Sequence, residues 1–449
     1  MQETADVLVI GTGTAGFTLA LACRKGGRQV AVVDDKPYGG TCGRNGCEPE
    51  KYLMQAAQVV HLTRQMSGQG ITVPAAMDWP ALIRSKSAFS NGVPERTERA
   101  FQQAGIKMYF GTAHFLSPET VAIGSETTVR AETIVIATGA RPAPLDFPGA
   151  GLVVETSDFM EMKNLPRRVL FIGGGCLALS FGHVARAAGA DVTILQRGER
   201  VLKNFDLEMA QLAAKAARAR GINIVTGITA AMAEKVQGAF MTYGKGGCTE
   251  AFPSDLIVNT SGRIPDLDPV DPEAGAVARS ARGVTVNEFL QSVSNPRVWA
   301  IGDACDSPYL LSTVADMEAE VAADNILTGN RRRPDYQGVP SMAQAQPPLS
   351  FVGLTEAQAR QSGKKFRINR GSTDSWPSSR RIGQQGGFYK VLIEEETGKI
   401  LGAHLLGQNA GETINIFALA LKFGISNSEL RQILWTYPTF ISDVKDMIE

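Results

Sequence analysis

The chain has 449 residues, more than one hydrophobic core ordinarily serves, so roughly two to four domains are expected. Lysine plus arginine equal aspartate plus glutamate at 45 each, which leaves no global electrostatic case for nucleic acid or an anionic membrane surface. No segment approaches the ~18–20 apolar residues of a membrane span, and Met1 to Asp6 lack the basic start and cleavage site of a signal peptide, so a cytoplasmic chain is expected.

The first apolar run, Val7–Ile10, leads into Gly11-Thr-Gly-Thr-Ala-Gly16 and an Ala/Leu-rich helix. Val30–Val33 follows as a β-branched run ending in Asp34-Asp35, which completes one βαβ unit. Pro49 to about Gln65 reads as a helix with proline near its first turn. Residues 105–130 read as a meander of short strands, and Thr133–Ala137 as a buried strand. Pro142, Pro144 and Pro148 then mark a crossing between domains. The pattern restarts with Val169–Ile172, Gly173-Gly-Gly175-Cys-Leu-Ala178, a second helix and the strand Asp191–Leu195, so the same unit occurs twice. Pro265 to Pro272 reads as a connector, Val298–Ile301 as a strand, and residues 331–348 as a linker. The last hundred residues mix strands such as Phe388–Glu394 with helices such as Gly411–Phe423. The expected fold class is α/β, with two Rossmann-like dinucleotide-binding domains and a C-terminal α+β domain.

Gly11, Gly13 and Gly16 fit G-x-G-x-x-G between a strand and a helix. Glycines there permit a tight turn and close approach of a pyrophosphate, the helix N-terminus favours the anion, and Asp34 stands where an acid binds ribose hydroxyls. In the second unit Gly173, Gly175 and Ala178 take these places, and Gln196 replaces the ribose acid. Arg197, Arg200 and Lys203 follow at once. An acid would repel a 2′-phosphate and this cluster would pair with it, which favours NADPH over NADH; the alternative is an ordinary solvated surface.

Cys42 and Cys47 lie just before a helix, in Gly39-Gly-Thr-Cys-Gly-Arg-Asn-Gly-Cys-Glu-Pro-Glu-Lys51. A bonded pair at this spacing needs a bent first turn, which Gly43 and Gly46 would permit, and a helix N-terminus suits redox work by lowering thiol pKa. A zinc site is not expected, because the four histidines, His61, His114, His183 and His404, show no ligand spacing. Two buried free cysteines are the structural alternative.

With these segments in hand, the chain resembles the pyridine nucleotide-disulfide oxidoreductases of the glutathione reductase, dihydrolipoamide dehydrogenase and mercuric reductase group, over almost its full length. Gly40-Thr-Cys42 with Gly46-Cys47 resembles the family's redox disulfide. Ala137-Thr138-Gly139 and Ile301-Gly-Asp303 resemble its later flavin-side motifs, and Thr260-Ser-Gly262-Arg263 the end of its NAD(P) domain. Val352-Gly-Leu-Thr-Glu356 and Gly402-Ala-His404 resemble its dimerisation domain. The resemblance implies FAD, a homodimer and four segments: an FAD domain at 1–148, an NAD(P)H domain at 149–265, a central domain at 266–334 and an interface domain at 335–449. It implies cofactor contacts at Thr41, Ala113, Thr138, Gly139, Gly262, Asp303 and Ala315. It also implies that Cys47 is the flavin-side, charge-transfer thiol and that Cys42 attacks the substrate.

The sequence departs from this family in three places. The catalytic His-Pro near the C-terminus is Tyr437-Pro438 here, and its carboxylate partner falls at Ser442, with Asp443 next. Tyrosine, with an ordinary pKa of about 10, is a poor base where histidine shuttles protons; Tyr437 orients substrate or donates a hydrogen bond, or simply packs at the dimer interface. Lys51 matches the lysine beside the flavin, but its glutamate partner is Ser180. Cys176 stands where a tyrosine often gates the nicotinamide pocket. Mercuric reductases also lack the histidine, yet this chain has no cysteine after Cys305 to relay metal. Arg44, within the cysteine loop, favours an anionic thiol substrate or stabilises a thiolate. The expected activity is an NADPH-dependent, FAD-containing reductase with Cys42, Cys47, Lys51, Tyr437 and Asp443 as catalytic candidates and a small disulfide as acceptor. A metal ion or quinone, or a low-turnover redox sensor, are the alternatives.

Overall fold

The computed structural model describes residues 2–246 and 249–449. It divides into two compact units, one of residues 1–49, 86–143 and 263–336 and the other of residues 50–85, 144–262 and 337–449.

In the first unit Gln2–Ile10 is the central strand of a seven-stranded sheet, parallel to Val30–Asp34 on one side and to Thr127–Ile136 on the other. A strand paired on both edges and covered on both faces is apolar throughout, and Val7, Leu8, Val9 and Ile10 are all buried. Lys107–Phe110 extends the parallel edge, Val298–Ala300 pairs parallel with Thr127–Ile136, and Thr120–Ile123 with Ala113–Ser117 continue the sheet in antiparallel fashion. The first strand begins well before Val7. Thr4 and Ala5 pair with Arg130 and Ala131, so the long neighbouring strand supplies a ladder that the polar N-terminal residues do not announce.

In the second unit Arg168–Ile172 lies between Asp191–Gln196 and Leu256–Asn259, with Ile222–Thr226 outside, all parallel. Helix Cys176–Ala187 follows the glycine turn, and in the core Phe159 packs on its Phe181 and on Phe171, with centroids 5.2 and 5.7 Å away. Each such side chain contributes about 2–3 kcal/mol by burial. A five-stranded antiparallel sheet runs in the order Ser341–Ala343, Leu349–Gly353, Ile400–Leu406, Phe388–Glu394, Phe366–Ser372, and helix Ala410–Phe423 packs on it. Lys390 of that sheet, 2% exposed, is ion-paired at 3.0 Å to Asp206, which caps helix Leu207–Ala219, and at 3.1 and 2.6 Å to Glu208 and Glu356. No helix among the described residues is long and apolar enough to cross a membrane.

Candidate active site

The first glycine turn is shaped by backbone approach. Gly11 has φ +102°, and a Cβ there would lie 2.3 Å from the Ala137 carbonyl oxygen. A Cβ at Gly16 would lie 2.0 Å from the Gly11 carbonyl oxygen. No side chain fits at either position, so bare backbone meets the start of helix Thr14–Lys25, whose N-cap is Gly13. Asp34 Oδ2 accepts the Thr12 amide at 2.9 Å and the Thr12 hydroxyl at 2.6 Å, while that hydroxyl accepts the Gly39 amide at 3.2 Å. The ribose acid, the turn and the start of the cysteine segment are therefore one connected set. Gly40 abuts Gly13 closely enough that its Cβ would lie 2.3 Å from the Gly13 Cα.

Six of the expected cofactor residues, Thr41, Ala113, Thr138, Gly139, Asp303 and Ala315, belong to the same unit as this turn. Thr138 has a buried hydroxyl without a partner among the described residues, and Gly139 beside it has φ +70°. Asp303, in the short turn Gly302–Ala304, has its carboxyl pushed up by burial, with the Arg263 guanidinium opposing. Ala315 is buried in helix Ser312–Thr328, Ala113 is buried at the start of its strand, and Thr41 is exposed in a helical turn, Gly40–Asn45.

That turn contains Cys42, and a second helix, Cys47–Gln65, begins with the other cysteine. The sequence placed both cysteines ahead of a single helix; the break falls at Gly46, where a Cβ would lie 2.8 Å from the Thr41 carbonyl oxygen. Both cysteines are free thiols. Ser312 joins them, donating to Cys42 Sγ at 3.1 Å and lying 3.4 Å from Cys47 Sγ. Ser312 is the first residue of a 17-residue helix whose preceding residue, Leu311, provides no side-chain cap, so the positive helix end adds to the stabilisation of a thiolate. The thiols titrate as one pair. Hydrogen bonding from Cys47, then from Ser312, lowers the Cys42 pKa to about 6 against the cost of burial. The Cys47 thiol is pushed up by its role as donor to Cys42 and by burial. The pair thus holds one thiolate and one proton near neutral pH.

The second glycine turn repeats the first with one exchange. Gly173 has φ +106°, and a Cβ there would lie 2.4 Å from the Thr260 carbonyl oxygen; Gly175 is the N-cap of the next helix, and Ala178 is buried within it. Gln196 Oε1 accepts the Gly174 amide at 2.8 Å, the same contact that Asp34 makes with Thr12, but without a charge. Arg197 and Lys203 are exposed, and neither side chain has a hydrogen-bond or ion-pair partner among the described residues. Arg200 instead donates to the carbonyls of Lys203 and Phe205, and so holds the loop that carries its neighbours. Gly262 has φ +138° with open space at its Cβ position.

Residues 5–324 match the family described as pyridine nucleotide-disulphide oxidoreductase, and residues 339–448 match that family's dimerisation domain. The chain belongs to the pyridine nucleotide-disulphide oxidoreductases. It is 29% identical to a mercuric reductase of Staphylococcus aureus, over 98% of this chain and 81% of the relative. It is 31% identical to a dihydrolipoyl dehydrogenase of Thermus scotoductus, over 100% of this chain and 97% of the relative. The solved Cu(II) complex of the HOCl-induced flavoprotein disulfide reductase RclA from Escherichia coli superposes with a TM-score of 0.90 at 25% identity, covering 99% of both chains.

These oxidoreductases are FAD-dependent, and the residues here fit that cofactor: the side-chain-free cradle at Gly11 and Gly16, the orphaned Thr138 hydroxyl and the desolvated Asp303 carboxyl all call for a polar, phosphate-bearing ligand. At the family's other positions this chain differs. Lys51 is exposed and donates to Gln344 Oε1 at 3.2 Å, while Ser180 is fully buried and its hydroxyl has no partner among the described residues. Tyr437 is 77% exposed. Asp443 accepts a hydrogen bond from Ser378, and burial pushes its carboxyl up. Arg44 donates to the Pro37 carbonyl at 2.8 Å, a bond that organises the cysteine loop. Cys176 is partly exposed at its surface yet packed densely enough that desolvation pushes its thiol up to about 12, which leaves it unreactive.

Two residues escaped the sequence reading. Ser312 reads as an ordinary helix-start serine, because nothing local places it against cysteines far earlier in the chain. Glu318, fully buried, accepts the Gly302 amide at 2.8 Å and the hydroxyls of Ser307 and Tyr336 at 2.6 and 2.8 Å, fixing the turn that carries Asp303. Its signal was a charged residue on an otherwise apolar helix face.

Proposed function

We propose that the protein is an NADPH-dependent, FAD-containing reductase that delivers electrons through Cys42 and Cys47 to a thiophilic metal ion, with Cu(II) the leading acceptor. The observation that carries this reading is the Cys42–Ser312–Cys47 group, which holds a thiolate near neutrality by hydrogen bonds and the helix end at Ser312, without a histidine base. Exchange with an organic disulfide must return a proton to each departing thiolate, and the one hydroxyl bridging these sulfurs is a weak acid. Oxidation by a metal ion needs no such donor. The Cys42 thiolate and the Cys47 thiol form the Cys42–Cys47 bond, the one shared proton goes to solvent, and two Cu(II) ions each gain one electron to leave as Cu(I). The Cu(II) complex of the similar RclA supports this acceptor.

FAD, when bound, passes reducing equivalents from the nicotinamide to the cysteine pair. Gly11, Gly13, Gly16, Asp34, Thr41, Ala113, Thr138, Gly139, Asp303 and Ala315 would hold it. Gly173, Gly175, Ala178 and Gly262 would hold the nicotinamide nucleotide, and Arg197 with Lys203 its 2′-phosphate, beside the neutral Gln196. Cys42, the more readily ionised thiol, takes the acceptor and Cys47 faces the flavin. Lys51 lies in the helix that Cys47 begins; Tyr437 and Asp443 act at most as substrate-orienting groups. The four segments expected from the sequence and a homodimer complete the assignment.

The test is anaerobic titration with NADPH and with NADH, followed by steady-state NADPH oxidation with Cu(II) and with oxidised glutathione. Two alkylatable thiols released at two electrons with the flavin still oxidised, faster reduction by NADPH, and Cu(II) turnover abolished by Cys42→Ser are expected. Turnover with disulfides alone would restore the small-disulfide reading, and no turnover with any acceptor would leave a sensor.

A further inference from the structure

The second unit contains a cavity of about 1600 Å³ apart from either dinucleotide turn. It lies among the C-terminal ends of three helices, Cys47–Gln65, Cys176–Ala187 and Leu207–Ala219, and the loop 380–386. Its wall carries Arg64, Arg186, Lys215, Arg220 and Arg380 against a single acid, Asp374. Asp374 is itself engaged, accepting the amides of Gly386 and Gly387 at 3.0 and 2.8 Å.

Part of this charge answers the helix ends. Arg64 donates to the Ala187 carbonyl at 3.4 Å and Arg220 to the Ala216 carbonyl at 2.9 Å, while Arg186 lies 4.0 Å from Asp191. A helix C-terminus carries only about half a negative charge, so three of them with Asp374 leave a surplus of about two positive charges. Lys215 and Arg380 are exposed, and their side chains have no partner among the described residues.

Buried polar groups line the same wall. Among the described residues the Nε2 of His183, 4% exposed, has no hydrogen-bond partner, nor has the Oε1 of Gln346, also 4% exposed. His61 Nε2 lies 3.0 Å from Arg220 Nη2, and the Arg220 Nε is buried without a partner among the described residues. Burial first, then the neighbouring arginines, holds both imidazoles neutral: His61 is lowered to about 4 and His183 to about 3. Neutral imidazoles and unanswered guanidinium donors in one cavity are what a multiply charged anion satisfies. The space exceeds the ~300–1000 Å³ typical of small-ligand pockets and accommodates a phosphate-bearing molecule of nucleotide size.

We infer that this cavity is a second anion site, which takes a pyrophosphate group, free or carried on a nucleotide, with Arg220, Lys215 and Arg380 as its charged contacts. The experiment is calorimetric titration of the FAD-loaded protein with inorganic pyrophosphate and, in a separate arm, with ADP. The double variant Lys215→Ala/Arg380→Ala is compared with Arg197→Ala. The double variant removes only exposed side chains and is expected to bind at least about tenfold more weakly while NADPH still reduces the flavin at the wild-type rate. Arg197→Ala is expected to leave binding unchanged. Tighter binding of ADP than of pyrophosphate identifies a nucleotide ligand, and equal binding a free pyrophosphate. Absence of binding at millimolar pyrophosphate, or binding that Arg197→Ala removes and the double variant spares, overturns the inference. So does closure of the cavity by a partner subunit in a crystal of the dimer.

Discussion

Replacing Ser312 with alanine removes the one hydroxyl that touches both sulfurs, at 3.1 and 3.4 Å. A hydrogen bond to a charged group is worth about 1.5–3 kcal/mol, and a pKa unit corresponds to ~1.36 kcal/mol, so the first thiol ionisation should rise by about one to two units. Cys42 is only partly buried, which favours the lower end of that range. The sign follows from which form the bond stabilises. Ser312 donates to the thiolate, so its loss disfavours ionisation, and the Cys42 pKa should climb from about 6 into the range 7–8, roughly. The assay is the pH dependence of the alkylation rate of Cys42 in the reduced protein. Ser312→Thr keeps the hydroxyl and should restore the wild-type midpoint; Ser312→Ala should lose most turnover below neutrality and recover it at alkaline pH. If the wild-type midpoint lies at an ordinary thiol value, or if alanine and serine give the same midpoint, the hydroxyl does not hold the thiolate and the reasoning fails.

Other consequences follow from the same structure. Arg197→Ala should raise the KM for NADPH on the order of 10–100-fold with little change for NADH, and Gln196→Glu should shift preference toward NADH; parallel kinetics with both nucleotides check this. Lys390→Met strands Asp206 as a charge 3% exposed, and should destabilise the protein by about 3–5 kcal/mol in denaturant titration, whereas Lys390→Arg should lose less. Against burial, the hydrogen bond from Lys390 holds the Asp206 carboxyl below its usual value, so this network stabilises the protein above the ordinary carboxylate range. That stability should disappear as pH falls through the depressed value, seen as an acid-side loss of Tm that Lys390→Met lacks. Gly11→Ala combines a φ of +102° with a Cβ 2.3 Å from a backbone oxygen, and should yield protein that does not retain FAD, measured as the flavin-to-protein absorbance ratio.

Much of this protein was legible in one dimension because its cofactor turns are local. A strand, a glycine-rich turn, a helix and a second strand occupy contiguous sequence, and the need for bare backbone at Gly11, Gly16 and Gly173 leaves glycine as the residue that fits. The exchange of Asp34 for Gln196 at corresponding positions was equally visible, since both side chains bind the turn of their own unit. The cysteine pair could be read for the same reason, being five residues apart. Tertiary structure decided what no local pattern encodes. It brought Ser312 from 270 positions away to Cys42, made Glu318 the anchor of the Asp303 turn, and set Lys390 among three carboxylates from two distant segments. It also spent Arg44 and Arg200 on backbone carbonyls, where the sequence offered them as free charges. A side chain's partner depends on which segments the folded core brings together, and contacts between distant segments leave no periodicity or spacing to read.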